Sequence, residues 1–225
     1  MVLLFIGPSG SGKDTQAQML GDKYGFKVTS TGDVFREVAN SNSKKALEVK
    51  SYIDKGEWVP DKLVYSLLEE YLEKQGADKL ILTGAVRTVA QVSLLDAMLE
   101  RLGKSLDKVV YFALSSDEAV KRLSGRRICP VDKSNYHIVF KPSKVEGKCD
   151  LCGADLVQRE DDRPEAIRRR LEQFEKENDP ILDKYSERGI LEEIDAAPPI
   201  EDIFAVLERR LGLLREASGT NMAQC

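Results

Sequence analysis

Histidine is all but absent from this 225-residue chain; His137 is the only one. A lone histidine is more often structural than catalytic, so no chemistry is assigned to it. There are four cysteines, Cys129, Cys149, Cys152 and Cys225, too few for the disulfide framework of a small secreted domain. The first three cluster in one stretch, which points to metal instead. Positive charge is not in excess either. Thirty-four basic against 38 acidic residues leave a net charge of −4. That argues against a broad nucleic-acid surface or a polybasic membrane anchor, though not against a local basic pocket. Long apolar runs are missing: the longest early one, Met1 to Ile6, falls far short of a membrane span and lacks the charged start of a signal peptide. A cytoplasmic protein is expected, with neither nucleic acid nor membrane as partner. The chain does have the material of a core, at 42% hydrophobic and 32% charged residues. Its length suits one domain of ordinary size carrying insertions.

Short apolar runs alternate with amphipathic stretches. Val2–Ile6, Phe26–Thr29, Leu80–Thr83, Val109–Leu114 and Leu191–Ile194 each read as a buried strand. Helix ends are marked between them. Ser115 with Glu118 forms a capping box, and Asp162 with Glu165, with Pro164 in the first turn, predicts another. Pro60 opens a helix that runs to about Gln75, and Gly76 closes it. Strand–helix alternation implies a parallel sheet covered on both faces. Two stretches interrupt it. Residues 31–59 hold two helical patterns and no strand. Residues 126–159 carry Gly, Pro, Cys and β-formers such as Tyr136–Phe140, and read as a small β-rich insertion.

Chemistry first appears where the strand Val2–Ile6 runs into Gly7-Pro8-Ser9-Gly10-Ser11-Gly12-Lys13-Asp14-Thr15 and a helical pattern follows. Glycines let successive N–H groups turn toward a phosphate. The helix N-terminus adds partial positive charge, and Lys13 can reach terminal phosphates. A general phosphate loop has Ser or Thr directly after the lysine as a magnesium ligand. Asp14 stands there, with Thr15 one step later.

With that loop in place, the chain from Leu3 to about Gly212 resembles the adenylate kinases of the nucleoside monophosphate kinase family. The loop is similar to their G-x-P-G-x-G-K-G-T, Ser30-Thr31-Gly32-Asp33 with Arg36 to S-T-G-D-x-x-R, and Gly56 through Pro60-Asp61 to G-x-x-V-P-D. Thr83-Gly84-Ala85-Val86-Arg87-Thr88 resembles D-G-F-P-R-T. Arg122, Gly125-Arg126-Arg127, Tyr136-His137, Phe140, Lys144-Val145-Glu146-Gly147, Arg159, Asp161-Asp162 and Arg170 resemble the lid and its flanks.

The resemblance implies an α/β fold of the P-loop NTPase type, a parallel five-stranded sheet flanked by helices. Its core would comprise residues 1–29, 60–125 and 160–215, with a monophosphate-binding helical insertion at 30–59, a lid at 126–159 and a disordered tail at 216–225. The implied reaction moves the γ-phosphoryl of MgATP reversibly onto AMP, giving two ADP, in a monomer. Such transfer needs positioning and charge neutralisation rather than a nucleophile. Lys13, Arg87, Arg126, Arg159 and Arg170 are the implied catalytic residues; guanidinium forks suit phosphate because they bond it twice and stay charged. Gly10, Ser11, Gly12, Lys13, Asp14 and Thr15 would cradle ATP with Arg126, while Arg122 and Phe140 sandwich its adenine. Thr31, Arg36, Val59, Gly84, Arg87 and Gln91 would hold AMP, with the Gln91 amide against adenine. Trp58 is read as hinge packing.

Cys129, Asp132, Cys149 and Cys152 are spaced C-x2-D-x16-C-x2-C, two knuckles that can build a tetrahedral zinc site with a carboxylate as one ligand. The alternative is a metal-free lid held by hydrogen bonds. The chain also departs from the family at Asp14 for Gly, Thr83 for Asp, and Ala85-Val86 for Phe-Pro. These motivate, as an alternative, a nucleotide-binding protein without kinase activity; a kinase for another nucleoside monophosphate is a second alternative, against which Gln91 and Thr31 weigh. The departures also suggest an exchange in which Asp14 takes over magnesium handling from the position of Thr83. The competing account of Asp14 is a favourable charge at a helix N-terminus.

Overall fold

The computed structural model describes residues 1–39, 44–53, 59–132, 134–158 and 162–214. Gly56, Trp58, Arg159, Asp161 and the tail expected at 216–225 lie outside the described residues. The elements in chain order are β1 (Val2–Ile6), α1 (Lys13–Tyr24), β2 (Lys27–Ser30), α2 (Thr31–Ala39), α3 (Lys44–Ile53), α4 (Asp61–Gln75), β3 (Leu80–Thr83) and α5 (Val89–Arg101), then β4 (Lys108–Ala113), α6 (Ser116–Ser124), β5 (Arg126–Ile128), β6 (Asn135–His137), α7 (Pro164–Glu187), β7 (Leu191–Asp195) and α8 (Ile200–Arg210).

Five strands form one parallel sheet in the order β2-β3-β1-β4-β7. All five residues of β1 are buried, as expected of a central strand covered on both faces. Alternate residues feed the two faces. Val2, Leu4 and Ile6 enter one apolar cluster with α4, α5 and α7. Leu3 and Phe5 enter the other with α1 and α8, where Phe5 meets Phe112 edge-on. The expected strands recur with ends displaced by at most one residue, and the 31–59 stretch contributes α2 and α3.

Local chemistry sets the helix ends. Gly76 closes α4 in the left-handed region at φ 57°. The Ser115 hydroxyl accepts the Glu118 N–H at 3.4 Å, as the capping box requires. The second predicted box is not formed. Arg163 is the N-cap of α7 and no side chain caps that helix. Asp162 is fully buried, and both its carboxylate oxygens are bonded by Arg126. Two charge-assisted bonds outweigh one bond to a backbone N–H.

Between α6 and α7 the chain makes its β-rich excursion. Strands β5 and β6 pair antiparallel, and bridges join Ile128 to Val157 and Lys148 to Asp155. The β-forming run Tyr136–Phe140 stays in a strand only to His137. There the imidazole turns the chain, its Nδ1 accepting the N–H groups of Val139 and Phe140 at 3.0 and 3.1 Å.

Candidate active site

The site is built at the carboxyl end of the sheet, where open α/β sheets bind ligands. Beyond β1 the loop bends back tightly. Gly7 lies so close to Ser11 and Phe112 that a Cβ there would stand 2.8–3.0 Å from them. Gly10 and Gly12 take φ of 89° and 82°, conformations that side chains disfavour. Gly12 is also the N-cap of α1, with no side chain capping the helix. The cap thus offers the first N–H groups of α1 no side-chain acceptor, which suits them to an anion. Asp14 is exposed in that first turn and Thr15 follows it.

Four of the expected cations converge here. Burial lowers the Lys13 ammonium from its ordinary range, the Asp14 carboxylate acts in the opposite sense, and the charges of Arg170, Arg87 and Arg126 lower it further. Arg170 reaches the loop itself, donating to the Ser9 hydroxyl at 2.7 Å. Arg126 is bidentate on Asp162, and Arg170 lies 3.7 Å from the same carboxylate. Asp162 thus holds two guanidiniums from opposite ends of the excursion beside Lys13. The fifth expected cation, Arg159, is outside the described residues.

Arg122 and Phe140 are also brought together, the guanidinium carbon 5.9 Å from the ring centroid. A flat base between two faces needs about 7 Å, twice a van der Waals contact, so base entry requires the pair to part by about 1 Å. Arg122 is braced for that role. It donates to the Ala196 and Ala197 carbonyls, each at 2.9 Å, and to Glu118 at 3.2 Å. His137 lies against Phe140, ring centroids 4.5 Å apart and planes tilted by 39°, and bonds the Arg122 carbonyl at 2.9 Å. Since Nδ1 accepts two N–H groups, Nε2 carries the proton and donates.

On the other side of the loop, Thr31 donates to the Gly84 carbonyl at 3.2 Å, and Gly84 adopts φ 65°. A Cβ on Gly84 would stand 3.9 Å from the Arg87 guanidinium. Val59 packs against the main apolar cluster, in which Ala85 and Val86 are buried. Gln91 donates to Asp61 at 2.7 Å and accepts the Arg87 N–H at 2.7 Å. Arg36 lies on α2, and its side chain is outside the described residues. Thr83 is buried at the end of β3.

In the excursion, one ligand atom each from Cys129, Asp132, Cys149 and Cys152 lies within 4.8 Å of the others. Cys129 and Cys152 sulfurs are 3.4 Å apart, and Cys149 is 2.9 Å from Asp132. The Asp132 N–H points to Cys129 Sγ at 3.5 Å and the Leu151 N–H to Cys149 Sγ at 3.4 Å. Zinc–sulfur bonds of about 2.3 Å place tetrahedral sulfurs about 3.8 Å apart, so the donor set matches such a site in type and spread.

Sequence reasoning missed Ser9, the Ala196–Ala197 carbonyls, and the partners Asp61 and Asp162. Ser9 and the two aspartates had a signal, each standing inside a recognised motif, whereas the two carbonyls had none.

A tight glycine loop between a central parallel strand and the N-terminus of a helix, on a five-stranded parallel sheet flanked by helices, places the chain among the P-loop phosphotransferases. A family model described as adenylate kinase matches residues 5–190. The adenylate kinase of Thermodesulfovibrio yellowstonii is 42% identical over 93% of this chain and all of its own length. That of Bacillus subtilis is 41% identical over 96% of this chain and its full length, and that of Archaeoglobus fulgidus 39% over 92% and 96%. The chain belongs to the adenylate kinase family, and it is an enzyme of the phosphotransferase class.

Proposed function

We infer how individual residues carry out the reaction that family membership gives this chain, reversible phosphoryl transfer between ATP and AMP with ADP as product. One observation carries the reading: Arg170 donates to Ser9 in the phosphate loop and shares Asp162 with Arg126, and the charges of both, with that of Arg87, bear on Lys13 at the head of the loop. Four cations repel one another. Their assembly is understandable if several phosphates are the intended occupants, and a phosphoryl in transit spreads its charge over three equatorial oxygens.

MgATP enters along the loop. The N–H groups at the start of α1 and Lys13 hold its phosphates, and Arg122 with Phe140 holds its base. AMP enters from the side of α2, with its phosphate at Arg87 and Arg36 and its base at Gln91 and Thr31. A phosphate oxygen of AMP attacks the γ-phosphorus, the bond to the β-phosphate oxygen breaks, and the electron pair stays on ADP. No proton moves. Arg126 and Arg170 stabilise the charge in flight after exchanging Asp162 for phosphate oxygens. Arg159 would complete this set.

Residues 30–59 serve as the monophosphate-binding segment and 126–159 as a lid over the triphosphate, with the remainder as core. Cys129, Asp132, Cys149 and Cys152 would hold a structural zinc ion, which cross-links a segment whose own apolar cluster is small. The enzyme works as a monomer in the cytoplasm; among the described residues, no helix is long and apolar enough to cross a membrane.

Arg87→Ala tests the assignment. ADP formation from ATP and AMP should lose about a hundredfold or more in kcat while ATP binding changes little. An unchanged kcat with lowered stability would make Arg87 structural.

A further inference from the structure

Gln91 is held at both ends of its amide. Its Nε2 donates to the Asp61 carboxylate at 2.7 Å, and its Oε1 accepts the backbone N–H of Arg87 at 2.7 Å. The two holding groups have opposite polarity: an ionised carboxylate only accepts and a backbone N–H only donates. Turning the amide over would set its oxygen against the carboxylate and its N–H against another N–H. One orientation is therefore selected. The platform beneath is fixed as well, because the buried Tyr65 hydroxyl lies 2.5 Å from the Ala85 carbonyl and 3.1 Å from the Gln91 carbonyl, its one proton directed to the nearer or shared between them.

We propose that Asp61 is a positioning residue that sets base specificity for the acceptor by locking the orientation of the Gln91 amide. The proposal rests on the reading of Gln91 as the group that meets the base of AMP. An amide has two N–H groups and two acceptor sites. Asp61 and Arg87 use one of each, which leaves one donor and one acceptor for the ligand. Adenine offers the complement, an acceptor at N1 and a donor at N6. Hypoxanthine has nearly the same shape with both polarities reversed, a proton on N1 and an oxygen at C6. A free amide could flip to serve either base, whereas the locked one serves only adenine. Because the second lock is the backbone of Arg87, base recognition and the proposed phosphate clamp share one residue.

A merely structural role for Asp61 is the competing account. It stands in the first turn of α4, where negative charge is mildly favourable. That role would move stability and leave selectivity alone.

The experiment compares kcat/KM for AMP and for inosine monophosphate in the parent enzyme, Asp61→Asn, Asp61→Ala and Gln91→Ala, with melting temperatures alongside. Asparagine keeps the shape but can donate or accept, so the lock is released without a cavity. The ratio of AMP to inosine monophosphate should fall about tenfold in Asp61→Asn, and further in Gln91→Ala. If both Asp61 variants keep the parent ratio while Gln91→Ala loses it, Asp61 does not set specificity, whatever its effect on stability. If Gln91→Ala also keeps the ratio, the reading of Gln91 fails and the proposal falls with it.

Discussion

Gly125 offers a steric test of how the proposed lid is hinged. Its backbone, at φ −85° and ψ −6°, is open to any residue, so alanine there carries no conformational penalty. The obstacle is His137. A Cβ on Gly125 would stand 2.5 Å from both Cε1 and Nε2 of the imidazole, and 3.2 Å from Ile138. Ordinary contact needs about 0.9 Å more, the difference from a 3.4 Å approach. The ring cannot give that freely, because it is tied to the Arg122 carbonyl and to the N–H groups of Val139 and Phe140. Each hydrogen bond is worth about 1 kcal/mol net, and overpacking costs about 1–3 kcal/mol. Gly125→Ala should therefore cost about 2–3 kcal/mol, roughly 4–12 °C in Tm for a chain of this size. In a His137→Ala background the clash with the ring is gone. The same glycine replacement should then be neutral or stabilise by a few tenths of a kcal/mol, through restriction of the unfolded chain. Thermal unfolding of the two single variants and the double variant measures this coupling. KM for ATP should rise with the first change, since His137 supports Phe140. An equal loss in both backgrounds would refute the hinge argument.

Three further outcomes are expected. Metal analysis of the purified enzyme should find about one zinc per chain, and Cys149→Ser should release it and lower Tm; full stability without metal would overturn the zinc site. Burial and the charges of Arg127 and Arg122 depress His137 below its unfolded value near 6.5, against the Arg122 carbonyl, which raises it. The unfolded chain then binds more protons, so this stability is complete above about pH 6.5 and is lost as pH falls through the lower folded value; Tm of His137→Ala should show a flatter slope there. Asp14→Gly should raise the Mg²⁺ concentration for half-maximal activity and Thr83→Asp should restore it, whereas unchanged Mg²⁺ dependence with tighter ATP would leave Asp14 a tolerated charge.

The strands were legible because each is a short apolar run between turn residues, and burial on both faces leaves little else for such a run to be. The phosphate loop was legible because its glycines are needed for backbone geometry, as φ at Gly10 and Gly12 bears out. Asp162 was misread for a physical reason. Asp-x-x-Glu before a helix looks like a cap in any sequence, and the stronger partner, Arg126, lies 36 residues earlier. The brace on Arg122 was hidden differently: the Ala196 and Ala197 carbonyls are backbone atoms that carry no residue signature. Gln91 was expected only through the family resemblance, and the turn of its amide depends on Asp61, from another helix.

The bond between Arg126 and Asp162 has a consequence for the chain as a polymer. Helices α6 and α7 pack together through Ala119, Leu123, Ile167 and Leu171, and the excursion leaves one and returns to the other. Its two ends are thus pinned at one spot by the core and stitched across by a charged pair. Closure entropy for such a loop grows only as the logarithm of its length, about 0.6 kcal/mol for each doubling. The excursion can therefore be shortened, lengthened or rebuilt around a different internal cross-link with little cost to the sheet. For folding, though not for the chemistry that Phe140 and Arg159 would serve, it is a replaceable cassette, with Arg126 and Asp162 as the clasp at its ends.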